Sequence, residues 1–439
     1  MSKIRWVGAL TLAVVAWLAL GQAQAGSSRP EPQDVVGGWY RMVLELVRHT
    51  PTYSPPVASR SFAYIGVAAY ESIAAGSPVL RSLSGQLNAL TTVPGRETGN
   101  AYDEAVVVNA AISATVQGLF THTGPTGQRA IAAMDRKMGG DVADGLPDDV
   151  VLRSRAYGRV VAEHILDWSQ SDGGERVENM GFPFEFTLTP GPAHWVPTNR
   201  VSQQQTPLLP DWGKNRTFAM PDGATCGLPP PPAYSEAPGS EFHDEAVEVF
   251  DAVNSLTPEQ LEIARFWSDD PMLSPTPPGH WLSISLEVLD RQQADVVVTV
   301  DTMARLGVAL ADAFIGCWDA KFRYDLVRPI TYIHRLMDPK WEALLITPPF
   351  PEYPSGHSTQ SAAAAYVLAG IFGENFAFED STHIGDGLPP RRFASFWAAA
   401  EEAGISRLYG GIHFRSAIVQ GLDQGKCIGA YVNALKTRN

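Results

Sequence analysis

Hydrophobic positions near the start of the chain recur every three or four residues. Val36, Trp39, Tyr40, Val43, Leu44 and Val47 form the clearest series, which is the spacing of one helix face. Thr50-Pro51 and Pro55-Pro56 interrupt it, and 61–75 resumes as a helix of small residues suited to close packing. The same period predicts helices over 100–119, 126–138 and 150–169. Residues 182–239 break the pattern. They are rich in Pro, Gly and Trp and include four consecutive prolines, Pro229 to Pro232. So long a stretch is either a linker or a functional cover, and Trp195 and Trp212 favour a segment wrapped on the surface. Helical periodicity returns over 241–254, 258–268, 281–290 and 294–324, and again over 358–372, 391–403 and 417–435, with 271–279 read as a loop. Strand patterns are scarce and no repeat of fixed period is present. The fold class is therefore mainly α, with helices packed as bundles. The expected division is an N-terminal helical region over 26–181, a Pro/Trp-rich segment over 182–240 and a C-terminal helical domain over 241–439.

Hydrophobic residues make up 45% of the 439 and charged residues 18%, enough apolar material for a large core. The net charge of -14 disfavours nucleic acid and anionic lipid as partners, so any anion site needs a local cluster of positive charge. Residues 1–25 read as a cleaved signal peptide: Lys3 and Arg5, an apolar run over 7–20, then Ala23-Gln24-Ala25. No later stretch reaches the ~18 apolar residues of a membrane span, so the mature protein is expected to be exported, periplasmic or secreted, without a span. Cys226, Cys317 and Cys427 do not make a disulfide framework. Cys317 and Cys427 flank the motifs below, which places them as neighbours or simply as buried small hydrophobes.

Three clusters carry the chemistry. KFRYDLVRP holds Lys321 and Arg328 seven residues apart, about two helical turns, a spacing that lets them share one helix face. PSGH holds Ser355, Gly356 and His357 where a helix is expected to start, so first-turn N–H groups point at whatever lies there. SRLYGGIH adds Arg407 and His413. Lys321 and Arg328 alone read as a solvated face, PSGH alone as a proline turn, and His413 alone as a packed histidine. Together they supply three cations, a hydroxyl and helix N–H groups, a cage for a tetrahedral oxyanion, with one histidine for acid–base work and one to bond the central atom. His194 and His280 each stand beside a tryptophan in an expected loop and read as aromatic packing or as a site entrance. No HExxH or CxxC spacing supports a zinc site.

The three clusters resemble the signature K-x6-RP, PSGH, SR-x5-H-x3-D shared by vanadium-dependent haloperoxidases and type 2 phosphatidic acid phosphatases. The likeness is strongest over 311–430. Trp318 three residues before Lys321, the PPFPEYPSGH segment and the upstream SFAYIGVAAYESIAAG, HWVPT and FWSDD stretches resemble the exported bacterial haloperoxidase-like branch. The resemblance implies that Lys321, Arg328, Ser355, Gly356 and Arg407 hold the oxygens of vanadate, that His413 bonds vanadium, and that His357 is the acid–base group. Trp318 and Phe350 would line the site. The implied partners are hydrogen peroxide, halide and an organic acceptor, and phosphate would compete with vanadate or replace it. Two positions depart from parts of the pattern. Ala417 stands where phosphatases carry the aspartate that orients the last histidine, and Phe350 stands where bromoperoxidases carry an extra histidine. The alternatives are an exported phosphomonoesterase with His413 as nucleophile and His357 protonating the leaving group, or a non-catalytic oxyanion-binding protein.

Overall fold

A computed structural model describes residues 29–198 and 204–439; the expected signal peptide lies outside them. Among these residues there are thirteen α-helices and two short strands. In chain order they are α1 (Pro32–Arg48), α2 (Pro55–Ala74), α3 (Glu104–Leu119), α4 (Gly124–Asp141), α5 (Asp148–Ser169), α6 (Glu241–Asn254), α7 (Pro258–Phe266), α8 (Thr276–Gln292), α9 (Val296–Tyr324), α10 (Pro329–Leu336), α11 (Gly356–Phe372), β1 (Phe378–Asp380), β2 (Arg391–Phe393), α12 (Phe396–Tyr409) and α13 (Arg415–Asn433). β1 and β2 form one antiparallel pair, Glu379 opposite Arg392. Among the described residues no helix is long and apolar enough to cross a membrane.

Helices α1, α2, α3 and α5 pack as one bundle and α9, α11, α12 and α13 as a second, with α2 lying along α9 between them. Small residues set that seam. A Cβ added at Gly307 of α9 would sit 2.9 Å from Phe62 O and Ala63 Cα of α2, so only glycine lets the two backbones approach this closely. Gly425 does the same for α13, where a Cβ would come within 2.1 Å of Thr359 O on α11. One continuous apolar core, from Val35 to Val432, runs through both bundles. A smaller cluster containing Phe242, Tyr332, Tyr353, Phe414 and Ala417 lies under α6 and α10.

The Pro/Trp segment is held against α9 rather than hanging free. Asp312 of α9, fully buried, accepts from the N–H groups of Phe218, Ala219 and Met220 at 2.6, 2.8 and 3.0 Å. Trp195 N–H donates to Asp325 O at 2.9 Å, and Trp195 and Trp212 are buried. Cys226 in this segment forms a disulfide with Cys427 of α13, and Cys317 is a free, buried thiol. Cys317 is thus a buried small residue, one of its two expected readings, whereas the disulfide joins Cys427 to Cys226, 201 residues away in sequence, and ties the wrapped segment onto α13.

Three local expectations also change. α8 begins at Thr276, inside the expected loop over 271–279, because Pro277 and Pro278 sit at first-turn positions where a missing N–H costs nothing. Residues 391–393 pair as β2, so the helix expected from 391 starts at Phe396, capped by Ser395 Oγ accepting from Ala398 N. Lys321 and Arg328 do not share a helix face. α9 ends at Tyr324 with Asp325 left-handed at φ 47°, and Arg328 is the extended N-cap of α10, the conformation that the following Pro329 imposes.

Candidate oxyanion site

Five helix ends converge on the three motif clusters. Lys321 is in the last turn of α9, Arg328 caps α10, Ser355 caps α11, Arg407 is in the last turn of α12, and His413 immediately precedes Phe414, the N-cap of α13. Ser355 Oγ accepts from Ser358 N, and Ser355 N–H donates to Ala417 O at 3.0 Å, which ties the PSGH turn to α13. The first-turn N–H groups of Gly356 and His357 have no intrahelical partner. A Cβ at Gly356 would meet nothing nearer than Cys317 Sγ at 3.9 Å. Packing therefore does not demand glycine there, and its bare Cα keeps the helix end open to a close-approaching anion.

The cations are buried and braced by carbonyls. Lys321 Nζ donates to Pro351 O and Glu352 O, both at 2.9 Å, and to Pro354 O. All three ammonium protons are thereby used, so Lys321 contributes charge and holds the 351–354 turn rather than offering a free N–H. Arg328 donates from Nε to Phe350 O at 2.9 Å and from Nη1 to Ile412 O at 2.8 Å, and Nη1 lies 3.2 Å from His413 Nε2. Its Nη2 is buried with no hydrogen-bond partner. Arg407 donates to Ser406 Oγ and Trp267 O. Burial lowers the pKa of all three, Lys321 to about 7 and each arginine to about 10. Trp318 and Phe350 pack at 4.9 Å as one wall, and the Phe350 ring lies about 5 Å from both Lys321 Nζ and Arg328 Cζ.

The two histidines differ. His413 Nδ1 lies 2.8 Å from Glu352 Oε1, which also accepts from Phe414 N at 2.8 Å. With Nδ1–H donated, the Nε2 lone pair faces Arg328. Burial, then Arg328, Lys321 and Arg407, push the His413 pKa well below its ordinary value, so the ring is neutral. The missing phosphatase aspartate at Ala417 is thus replaced by a carboxylate from elsewhere. Glu352 is 61 residues before His413, and no local spacing reports the pair. The available signal was a lone glutamate inside the apolar, proline-rich PPFPEYP stretch, since a buried carboxylate needs donors. His357 is more open, its side chain 16% exposed against 3% for His413. Burial and Arg407 lower its pKa to about 4, opposed by Asp269, whose Oδ2 is 3.7 Å from His357 Nε2. At neutral pH it is a free base at the edge of the cage.

Every residue expected at the site is therefore brought to this one region. His280 stands behind it: it lies inside α8 rather than in a loop, fully buried and stacked on Trp267 at 4.6 Å. His194 is on the surface of the wrapped segment, 3.3 Å from Asp325.

The comparisons bear on this constellation. The family described as the VCPO second helical-bundle domain matches residues 301–438, the part of the chain that builds the cage. No curated protein matches the sequence. Among solved structures, a bacterial vanadium-dependent iodoperoxidase is 37% identical, with 93% of this chain and 98% of that one covered and a TM-score of 0.84. The chain belongs to the vanadium-dependent haloperoxidase family. A bacterial vanadium-dependent chloroperoxidase in its holo form shares the fold at 15% identity and a TM-score of 0.69, with 95% and 96% of the two chains covered. Family membership places this chain among enzymes of the peroxidase class. The donor set fits the family's cofactor: a buried guanidinium N–H without a partner, a clear helix N-terminus and a neutral imidazole with its lone pair turned toward the cations.

Proposed function

We propose that this haloperoxidase holds vanadate in the cage at His413 and uses it to oxidise halide with hydrogen peroxide, giving an electrophilic halogen for organic acceptors. The single observation that carries the reading is the His413 ring: neutral, its Nδ1–H fixed by Glu352, its Nε2 facing the cations. Bound vanadate would supply a Lewis acid for hydrogen peroxide. Arg328 Nη2, Arg407, the Ser355 hydroxyl and the first-turn N–H groups at Gly356 and His357 would hold its oxygens. Lys321 adds charge and keeps the 351–354 turn in place. His357, neutral and partly open, takes a proton from entering peroxide and returns one to the departing oxygen. Trp318 and Phe350 shield the cations from bulk water. Iodide is the halide to test first, because the relative at 37% identity is named an iodoperoxidase. What supports export is the Cys226–Cys427 disulfide, a bond that persists in oxidising compartments.

The test adds orthovanadate to the vanadate-free protein and follows oxidation of iodide, then bromide, by hydrogen peroxide. Vanadate-dependent turnover suppressed by excess phosphate is the expected result. Hydrolysis of a chromogenic phosphate ester with no halide oxidation would overturn it. The Glu352–His413 pair also favours a second reading of the same cage as a phosphomonoesterase when vanadate is absent, with His413 as nucleophile. Loss of that hydrolysis in His413→Ala and its inhibition by vanadate are the measurements.

A further inference from the structure

Behind His357 lies a cluster that the cage does not use. Asp269 follows α7, His280 is in α8, and His383 follows β1. One carboxylate oxygen and one imidazole nitrogen from each histidine lie within 4.8 Å of one another, and all three residues are buried. Asp269 Oδ1 is 3.0 Å from His280 Nδ1 and 3.3 Å from His383 Nε2. Yet His383 Nε2 is buried without a hydrogen-bond partner, so it approaches the carboxylate without being aligned on it. The far nitrogen of each ring is held by another carboxylate: His280 Nε2 by Asp380 at 2.8 Å and His383 Nδ1 by Asp386 at 2.9 Å. A carboxylate behind each imidazole is how proteins orient histidine ligands and raise their basicity. Trp267 stacked on His280 and the Phe266 edge on His383 fix the ring planes.

We propose that Asp269, His280 Nδ1 and His383 Nε2 bind one divalent transition-metal ion of the zinc class. Two imidazoles and one carboxylate suit zinc and its neighbours, whereas calcium and magnesium call for oxygen donors throughout. Asp269, Asp380 and Asp386 place three carboxylates around two imidazoles, with Arg48 paired to Asp386 on its outer side. Binding displaces the proton shared between His280 Nδ1 and Asp269. The ion joins the end of α7, the start of α8 and the β1–β2 hairpin. It also holds the carboxylate whose other oxygen lies 3.7 Å from His357 Nε2. The ligands are 11 and 103 residues apart in order along the chain (269, 280, 383), which no short zinc motif reports.

The test uses the purified protein, dialysed against a chelator and titrated calorimetrically with zinc chloride, with bound metal counted after desalting. Wild type is expected to take up one zinc per chain with a rise in Tm, and His383→Gln to lose that equivalent while keeping its circular dichroism and its vanadate binding. Asp386→Asn, at a half-exposed position, is the second variant and is expected to weaken zinc binding by roughly 10- to 100-fold. Cobalt added to wild type should give the visible bands of a mixed nitrogen–oxygen site, absent in His383→Gln. No zinc uptake by wild type, or uptake unchanged in both variants, would overturn the proposal and leave the cluster a network of hydrogen bonds.

Discussion

Arg328→Lys separates the charge of the cage from its geometry. The guanidinium is pinned by two carbonyls, Phe350 O at 2.9 Å and Ile412 O at 2.8 Å, and this leaves Nη2 aimed and unpartnered. Lysine keeps the positive charge but has no planar fork, so an ammonium anchored on a carbonyl no longer presents a pre-aimed donor. What is lost toward a bound oxyanion is one charge-assisted hydrogen bond, about 1.5–3 kcal/mol. At ~1.4 kcal/mol per tenfold, the vanadate Kd should rise roughly 10- to 150-fold. The carbonyl left without its donor costs the fold a further ~1–3 kcal/mol, which a protein of this size tolerates at room temperature. The assay is calorimetric titration with orthovanadate in phosphate-free buffer, with circular dichroism confirming the fold. A folded Arg328→Lys whose Kd moves less than threefold would refute the argument that the spare N–H is a vanadate donor. Tighter binding would refute it more strongly, by showing that the fork obstructs the cage.

His413→Ala should abolish vanadate-dependent halide oxidation with the far-ultraviolet spectrum unchanged; residual turnover above a few per cent would show that the imidazole is not the ligand. Replacing Cys226 and Cys427 together by serine opens a loop of 201 residues and should cost about 5 kcal/mol on the loop-entropy account, read as a lower denaturation midpoint; an unchanged midpoint would mean the wrapped segment is held by its other contacts alone. Burial raises the Glu71 carboxyl from 4.5 to about 7 and Asp312 from 3.8 to about 6. Folded pKa values above the unfolded ones mean stability that is complete below about pH 4 and lost as pH rises through 6 and 7, about 3 kcal/mol for each group. Thermal melts of Glu71→Gln should therefore gain on wild type between pH 5 and 8, and a constant difference across that window would contradict the assignment.

Much of the fold was legible because most helices bury one periodic face. α1 shows it directly: Val36, Trp39, Tyr40, Val43, Leu44 and Val47 are all buried. The cage was legible for another reason, since its residues fall in three short clusters, each at a helix end. Misreadings arose where a proline redirects the chain or a distant segment decides. A spacing of seven from Lys321 to Arg328 looks like two turns of one helix, but Pro329 forces Arg328 out of helical conformation, and the chain turns between them. The Glu352–His413 pair, the Cys226–Cys427 bond and the Asp269–His280–His383 cluster each join segments at least 11 residues apart and mostly far more. Periodicity reports which face is buried but not what that face meets.

The position of the cage at helix ends explains how three cations can be buried in one place. Helix faces have spent their carbonyls on the ladder, whereas turns and C-termini still offer acceptors. Lys321 uses three carbonyls of the 351–354 turn, Arg328 uses those of Phe350 and Ile412, and Arg407 uses that of Trp267. These dipoles offset part of the desolvation cost without neutralising charge. Glu352 is the one carboxylate hydrogen-bonded to His413, and Asp269 lies 3.7 Å from His357, so carboxylates behind the two histidines offset part of the cationic charge. A tetrahedral oxyanion can accept from several of the remaining donors at once and a halide ion cannot, so the cage is expected to favour oxyanion over halide. Phosphate matches vanadate in shape and charge, so the cage alone cannot reject it. The distinction falls to the His413 lone pair, which would bond the vanadium of a bound vanadate but would have to attack a stable phosphate ester. Phosphate inhibition is thus the expected consequence of the architecture, and its strength relative to vanadate would measure how much a single nitrogen–metal bond contributes.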